Sequence, residues 1–307
     1  MTARIISLLA DLYKIQDLES KDVYQGKATG LFRYKKMSPK VGDIVEYEKL
    51  PDGQIYITKI HERFNDLVRP AIANIDQAIV VMSVLEPTFN DNLLDRFLTI
   101  LEFNNIEPII LFSKWDLLTE ADSINKIFEY YKGLGYKCLK VSTKMESLDN
   151  LELIDLIKDK VSVLTGQSGV GKSSILNALF PNLDLKTNEI SKALGRGKHT
   201  TRHVELLSLA GGLIADTPGF GTMDFTGFEE IDIMHSFREF FEYSKSCKYN
   251  GCLHIKEPNC KVKEMKDANL ILETRYTNYL QFIDECKKLR KWWLYESISI
   301  NFVNGLF

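Results

Sequence analysis

No stretch of the chain approaches the roughly 20 consecutive apolar residues that a membrane-spanning helix requires. The apolar run from Ile5 to Ala10 is too short for the apolar region of a secretory signal. A cytoplasmic address with no membrane partner is therefore the expectation. Surplus positive charge is lacking too: 39 Lys and Arg face 42 Asp and Glu, a formal net charge of -3. A globally basic nucleic-acid binder is excluded, so any basic surface must be local. Cysteine is sparse, with five residues. In a cytosolic chain so few thiols argue against a disulfide framework. There is no internal repeat or low-complexity segment. What remains is an ordinary globular composition, 45% hydrophobic and 26% charged, over 307 residues. That length accommodates two or three domains.

The patterning changes twice along the chain. Residues 1–68 carry short alternating runs separated by turn signals: Val23 to Arg33, Val41 to Tyr47, Pro51-Asp-Gly53, then Gln54 to Ile60. Several short strands with glycine turns predict a small β-barrel. With charges that nearly balance, the residues there favour a β-domain with no nucleic-acid role over RNA binding. Arg69-Pro70 marks a joint. Residues 69–227 then alternate buried strands with helices. The strands are expected at Gln77–Val84, Pro108–Phe112, Tyr136–Val141, Val161–Thr165, Val204–Leu209 and Gly212–Asp216. The helices are expected at Asn90–Asn105, Ala121–Gly133, Leu148–Lys158 and Ser173–Phe180. This is the pattern of a doubly wound α/β domain. Residues 228–307 are helical and charged, with helices expected at Ile231–Tyr243 and Ala268–Trp293. The tail from Glu296 is uninformative.

Three strings carry the nucleotide chemistry. Gly166-Gln-Ser-Gly-Val-Gly-Lys-Ser173 fits the phosphate-loop pattern G-x-x-x-x-G-K-[ST], after a buried strand and before a helix. Its glycines let backbone N–H groups converge on phosphate oxygens, and the helix N-terminus adds its dipole. Lys172 is expected on the β- and γ-phosphates and the Ser173 hydroxyl on Mg²⁺. Asp216-Thr-Pro-Gly219 ends a later strand, where the acid can hold Mg²⁺ through water and the Gly219 N–H can sense the γ-phosphate. Ser113-Lys-Trp-Asp116 reads as a guanine clamp. Asp116 accepts from the two donors that adenine lacks, and Lys114 lies along the base. Ser142 ends the next strand, facing the guanine carbonyl. The usual first clamp residue is Asn or Thr; with its shorter side chain, Ser113 is expected to lose a supporting bond. Nucleotide contacts are thus expected from Ser113, Lys114, Trp115, Asp116 and Ser142. Others are expected from Gly166, Gln167, Ser168, Gly169, Val170, Gly171, Lys172, Ser173, Ser174, Asp216 and Gly219. In ordinary GTPases the clamp follows the phosphate loop; here it precedes it by about fifty residues.

Many GTPases carry a water-orienting Gln just after the Asp-x-x-Gly string, but this chain has Phe220. Gly195-Arg-Gly-Lys-His-Thr-Thr-Arg-His203 lies where a first switch belongs. Thr201 or Thr200 can reach Mg²⁺, and His199 can orient the attacking water; the alternative for His199 is a solvated loop residue. The catalytic set is taken as His199, Lys172 and Thr201. Further on, Cys247-x4-Cys252-x-His254-x5-Cys260 offers three thiolates and an imidazole, a set suited to structural zinc. Lysines 245, 248, 256, 261, 263 and 266 surround it, either as a solvated face or as a surface for phosphate backbone.

Clamp, phosphate loop, Asp-Thr-Pro-Gly and cysteine-histidine knot, in that order, resemble the ribosome small-subunit-dependent GTPase A family (RsgA, or YjeQ), which is circularly permuted. The similarity runs over roughly residues 20–295 and includes Lys40-Val-Gly-Asp43, Leu67-Val-Arg-Pro70, Asn74-Ile-Asp-Gln77 and Gly197-Lys-His-Thr-Thr201. The resemblance implies an OB-fold barrel (1–68), a permuted GTPase domain (69–227) and a helical zinc domain (228–307). It implies binding of GTP and GDP, and of the 30S subunit and its 16S rRNA late in maturation. It further implies ribosome-stimulated hydrolysis that releases the protein or other assembly factors, with His199 in the family's catalytic-histidine position. A monomer is expected. Because the chain leaves the GTPase domain directly after Gly219, the second switch is expected to pull on the zinc domain. An ATP-dependent phosphate-loop kinase and a non-enzymatic rRNA-binding scaffold are the rival readings.

Overall fold

The computed structural model describes residues 1–9, 12–28, 38–67, 70–118, 122–142, 148–179, 204–216 and 224–304. They form two compact units. One comprises Met1–Phe89 with Asn104–Gly221, the other Asn90–Phe103 with Thr222–Phe307.

The first unit begins with five strands: β1 (Thr2–Leu9), β2 (Leu12–Asp17), β3 (Val23–Ala28), β4 (Ile44–Lys49) and β5 (Ile55–Ile60). They close into a barrel in the order β1-β2-β3-β5-β4. That is the OB arrangement. Alternation puts Ile5, Ile15, Val45 and Ile57 inside, each fully buried. The Tyr47 hydroxyl, also inside, donates to Asp17 Oδ2 at 2.8 Å, and Asp17 Oδ1 accepts the N–H groups of Glu19 and Ser20. Strand β1 is not legible as a strand in the sequence, because Ile5–Ala10 breaks alternation. The reason is a β-bulge in β1 between Ile5 and Ser7.

A polar seam joins the barrel to the α/β part of the unit. Gly42 sits at φ +92°, and a Cβ there would fall 1.9 Å from the Ala73 carbonyl oxygen, so only glycine fits. The buried Asp43 carboxylate receives the Arg63 guanidinium at 2.7 and 2.9 Å and the Lys40 N–H at 2.7 Å. Asn74 donates to the Gly42 carbonyl and accepts the Phe64 N–H, while Asn65 makes a reciprocal pair with the backbone of Ile75. Two short strands, β6 (Asp66–Leu67) and β7 (Ile72–Ala73), pair beside it. The strings Lys40–Asp43 and Asn74–Gln77 therefore build this joint.

Six strands form the central sheet in the order β10-β9-β8-β11-β13-β12. They are β8 (Gln77–Ser83), β9 (Glu107–Ser113), β10 (Lys137–Val141), β11 (Val161–Thr165), β12 (Leu207–Leu209) and β13 (Gly212–Asp216). All neighbours are parallel except β12 with β13. β8 and β11 are buried along their whole length, as strands covered on both faces must be. Gln77 cross-links them by donating to Ser162 Oγ at 2.9 Å. Helices Asp122–Gly133, Leu148–Ile157 and Lys172–Leu179 complete the α/β pattern in this unit.

The second unit holds helices Glu230–His235, Arg238–Ser244, Lys261–Asp267 and Glu273–Asn304. The helix expected over Ile231–Tyr243 is broken. Phe237 leaves helical geometry (φ -99°, ψ 101°) and its ring enters a core with Phe240, Tyr279 and Phe282. The helix expected from Ala268 starts at Glu273, because Ala268 caps the preceding helix and Asn269 comes next at φ 58°. Helix Asp91–Phe103 belongs here too, although its chain position lies between β8 and β9. Arg275 fastens it: 1% exposed, its guanidinium reaches Glu239 at 2.6 and 3.1 Å and also bonds Asp95, which Asn278 bonds at 2.7 Å. The guanidinium also lies 4.4 Å over the Phe237 ring. Replacing Arg275 leaves two carboxylates buried without their cation. Arg275→Met is expected to cost about 3–5 kcal/mol of stability, as for other broken buried pairs. Denaturant unfolding monitored by far-UV circular dichroism reads the loss; a change below about 1 kcal/mol, the size of a surface pair, would show the cluster to be dispensable.

Candidate nucleotide site and metal centre

The carboxyl ends of the parallel strands meet at one edge of the sheet, where open α/β sheets bind ligands. β8 ends at Ser83, β9 at Ser113, β10 at Val141 and β11 at Thr165. The loop Gly166–Gly171 leaves β11 and enters the helix Lys172–Leu179. Gly166 (φ +142°) packs so closely on β8 that a Cβ would meet the Val81 carbonyl oxygen at 2.3 Å. Val170 is the loop's apolar anchor, 1% exposed in the sheet core. Gln167, Ser168 and Gly169 are exposed, and Ser173 and Ser174 begin the helix. The Lys172 ammonium donates to the carbonyls of Gly166 and Gln167 at 2.7 and 3.0 Å, which curls the loop around it.

The clamp strand ends against this loop. Ser113, 2% exposed, donates its hydroxyl to the Val170 carbonyl at 2.7 Å and lies 3.3 Å from the Met82 carbonyl oxygen. The serine thus keeps a direct bond to the phosphate loop despite its short side chain. Lys114 adopts the left-handed conformation (φ 59°), and its ammonium ties the Gly169 carbonyl, at 3.0 Å, to the Glu86 carbonyl. Trp115 packs edge-on against Phe112 and Phe128, with the Lys140 ammonium 4.4 Å from its ring centre. The Ser142 hydroxyl donates to Asp116 Oδ1 at 2.7 Å, so the two residues singled out for guanine are in contact. Asp216 ends β13 in register with Leu164 on β11, beside the phosphate loop. Gly219, Thr200, Thr201, His199 and Phe220 lie outside the described residues.

Cys247, Cys252, His254 and Cys260 converge in the second unit, their ligand atoms all within 4.8 Å of one another. His254 Nδ1 lies 3.7 Å from Cys247 Sγ and 3.3 Å from Cys260 Sγ, and the two sulfurs are 4.0 Å apart. A tetrahedral ion with ordinary bond lengths to sulfur and nitrogen needs edges of roughly 3.5–3.8 Å, so the donor set fits a metal ion. Burial pushes the Cys252 thiol up to about 12, raises Cys260 as well, and pulls the His254 imidazole down to about 4. A neutral imidazole is ready to ligate; thiolates at this depth need a cation beside them. The scaffold around the four ligands left no sequence signal. The Glu257 carboxylate accepts the N–H groups of Leu253, Ile255 and Lys256, folding the turn that carries His254. From the long helix, Tyr276 and Tyr279 donate to the carbonyls of His254 and Leu253, each at 2.6 Å. No helix among the described residues is long and apolar enough to cross a membrane.

Known proteins share this layout. The model of the RsgA N-terminal domain matches residues 2–57 and that of the RsgA GTPase matches residues 60–226. The small ribosomal subunit biogenesis GTPase RsgA of Bacillus velezensis is 46% identical over 291 residues, 93% of this chain and 97% of its own. RsgA 2 of Oceanobacillus iheyensis is 49% identical over 284 residues, 92% and 96% of the two chains. Among solved structures, YloQ, a circularly permuted GTPase, superposes with TM-score 0.80 at 40% identity, covering 94% of this chain and 95% of its own. YjeQ from Thermotoga maritima gives 0.81 at 34% identity, covering 93% and 98%. The family models cover the barrel and the clamp-first sheet, and this chain belongs to that lineage: it is a circularly permuted GTPase of the RsgA family.

Proposed function

We propose that this GTPase binds the small (30S) ribosomal subunit, 16S rRNA included, late in the subunit's maturation. The subunit stimulates GTP hydrolysis, and hydrolysis releases the protein or other assembly factors. The relatives' names support the biogenesis role. The single observation that carries the nucleotide part is the pair of bonds Ser113 to Val170 and Ser142 to Asp116, which lock a guanine-selective carboxylate against a phosphate loop. In this reading residues 1–68 bind RNA, 69–227 bind and hydrolyse GTP, and 228–307 carry the metal. The protein acts as a cytoplasmic monomer.

Within the site, Asp116 selects guanine by accepting its two donors, and Ser142 holds that carboxylate in place. Backbone N–H groups of Gly166–Ser174 and the Lys172 ammonium take the phosphates. Ser173, Thr201 and, through water, Asp216 hold Mg²⁺, which neutralises phosphate charge. Gly219 reads the γ-phosphate, and His199 orients the attacking water. Cys247, Cys252, His254 and Cys260 hold one structural zinc ion, the metal that a closed Cys₃His set favours.

Steady-state phosphate release with GTP or ATP, with and without purified 30S subunits, tests the whole reading. GTP turnover that rises with subunits, and no ATP turnover, is the expected result. Equal use of ATP would favour a kinase-like activity, and no turnover with either a binding scaffold; each overturns the proposal.

A further inference from the structure

We propose that Lys14 and Glu205 are positioning residues that couple ligand occupancy of the barrel to GTP turnover. The inference rests on the function proposed above and adds the path by which the subunit's presence reaches the nucleotide.

The path starts at the β1 bulge. The register between β1 and β2 shifts between Ile5 and Ser7, which leaves Ile6 without a partner on β2. Its carbonyl instead accepts the Leu206 N–H at 2.8 Å. Ser7 forms an isolated antiparallel bridge with Glu205 at the same place. The Lys14 ammonium on β2 then pairs with Glu205 Oε1 at 3.1 Å. A backbone bond, a strand bridge and an ion pair thus fix Glu205–Leu206 to the barrel wall.

This short segment stands between two parts of the nucleotide machinery. Leu207 opens β12, which pairs with β13, the strand ending at Asp216. In the other direction along the chain, Glu205 lies four positions after Thr201 and six after His199. Lys14 also belongs to β2, and strands 2 and 3 form the face on which OB barrels bind oligonucleotides. A ligand on that face meets the strand that holds Glu205.

Stability does not account for the pair. Lys14 is 44% and Glu205 19% exposed at the side chain, and an ion pair so open to water adds little. Its ends lie 191 positions apart in sequence, and it fixes register between the barrel and the catalytic sheet.

The test compares Lys14→Glu, Glu205→Lys and the double exchange in the full-length protein, with Glu205→Gln as the milder variant. Basal GTP turnover and KM for GTP are expected to stay at wild-type values in all four, as is co-sedimentation with 30S subunits in the two Glu205 single variants, and stimulation is read at saturating subunits. Subunit-stimulated kcat is expected to fall at least about fivefold in the three single variants, the lower end of coupling between sites, and to return in the double exchange. Undiminished stimulation in the singles, a loss not recovered by the exchange, or a loss traced to weaker subunit binding would each overturn the positioning role. A wild-type protein that 30S subunits fail to stimulate would overturn the functional reading itself, a result separable from the others because it needs no variant.

Discussion

Stripping the metal from the Cys₃His cluster is expected to unfold the second unit. Its core is built around the ligands: Cys252 and Cys260 are among the buried residues that pack with Phe240, Tyr276 and Tyr279. Four ligand atoms within 4.8 Å of one another draw the surrounding core in on a single ion. Structural zinc binding contributes about 10–16 kcal/mol in small domains, more than the whole stability of most folds. Cys252→Ser is expected to act like chelation, because an alcohol is a poor ligand and the buried hydroxyl has no other task. The dependence on pH has a definite sign. With the metal absent, burial holds the Cys252 thiol up to about 12 and raises Cys260, so both are protonated near neutrality. Metal binding must release both protons, while His254, held down to about 4, releases none there. Affinity therefore rises with pH by at least about a hundredfold per unit near neutrality and is lost as pH falls. Metal release followed with a chromogenic chelator, alongside far-UV circular dichroism, checks both statements. A second unit that stays folded after complete metal removal would refute them.

The cluster was readable because its ligands lie within fourteen residues and its chemistry resides in residue types. The phosphate loop and clamp were readable for the same reason. The β8, β9 and β11 runs are apolar over most of their length, and that left their burial in a parallel sheet plain. What escaped the sequence depends on distant partners. Helix Asp91–Phe103 has clear helical spacing, yet nothing in it says that Asp95 will meet Arg275, 180 positions on, in a different compact unit from the strands that flank it. The break at Phe237 is set by core packing that local propensity does not register. Lys40–Asp43 and Asn74–Gln77 stood out as motif strings, but their task as a polar joint emerges only when Gly42 meets Ala73 and Asn74 meets Gly42. Likewise the bulge in β1 hid that strand, and it is the same bulge that frees the Ile6 carbonyl for Leu206.

Two substitutions separate holding the nucleotide from cleaving it. Lys172→Ala is expected to abolish measurable GTP binding, since it removes an ammonium that the loop curls around, bonded to Gly166 and Gln167 at its mouth. A lysine proposed to hold the β- and γ-phosphates would meet them in ground state and transition state alike, so its loss would fall on affinity first. His199→Ala is expected to bind GTP and GDP as the parent does and to lose turnover, by about 10²–10⁴-fold, the usual worth of a group that handles a proton or orients a water. The reasoning is one of elimination. Phe220 comes directly after Gly219 where many GTPases carry glutamine, and a phenyl ring neither accepts nor donates to water. His199 directly precedes the paired threonines, in the segment between the phosphate-loop helix and β12, with the second histidine of that segment, His203, beyond them. A residue that acts only on the attacking water lowers kcat and kcat/KM together and leaves ground-state binding alone. Calorimetry for affinity and single-turnover hydrolysis on saturating 30S subunits resolve the two cases. Turnover of His199→Ala within a few-fold of the parent would assign the water to a group supplied by the subunit, as an arginine finger is supplied in trans to other GTPases.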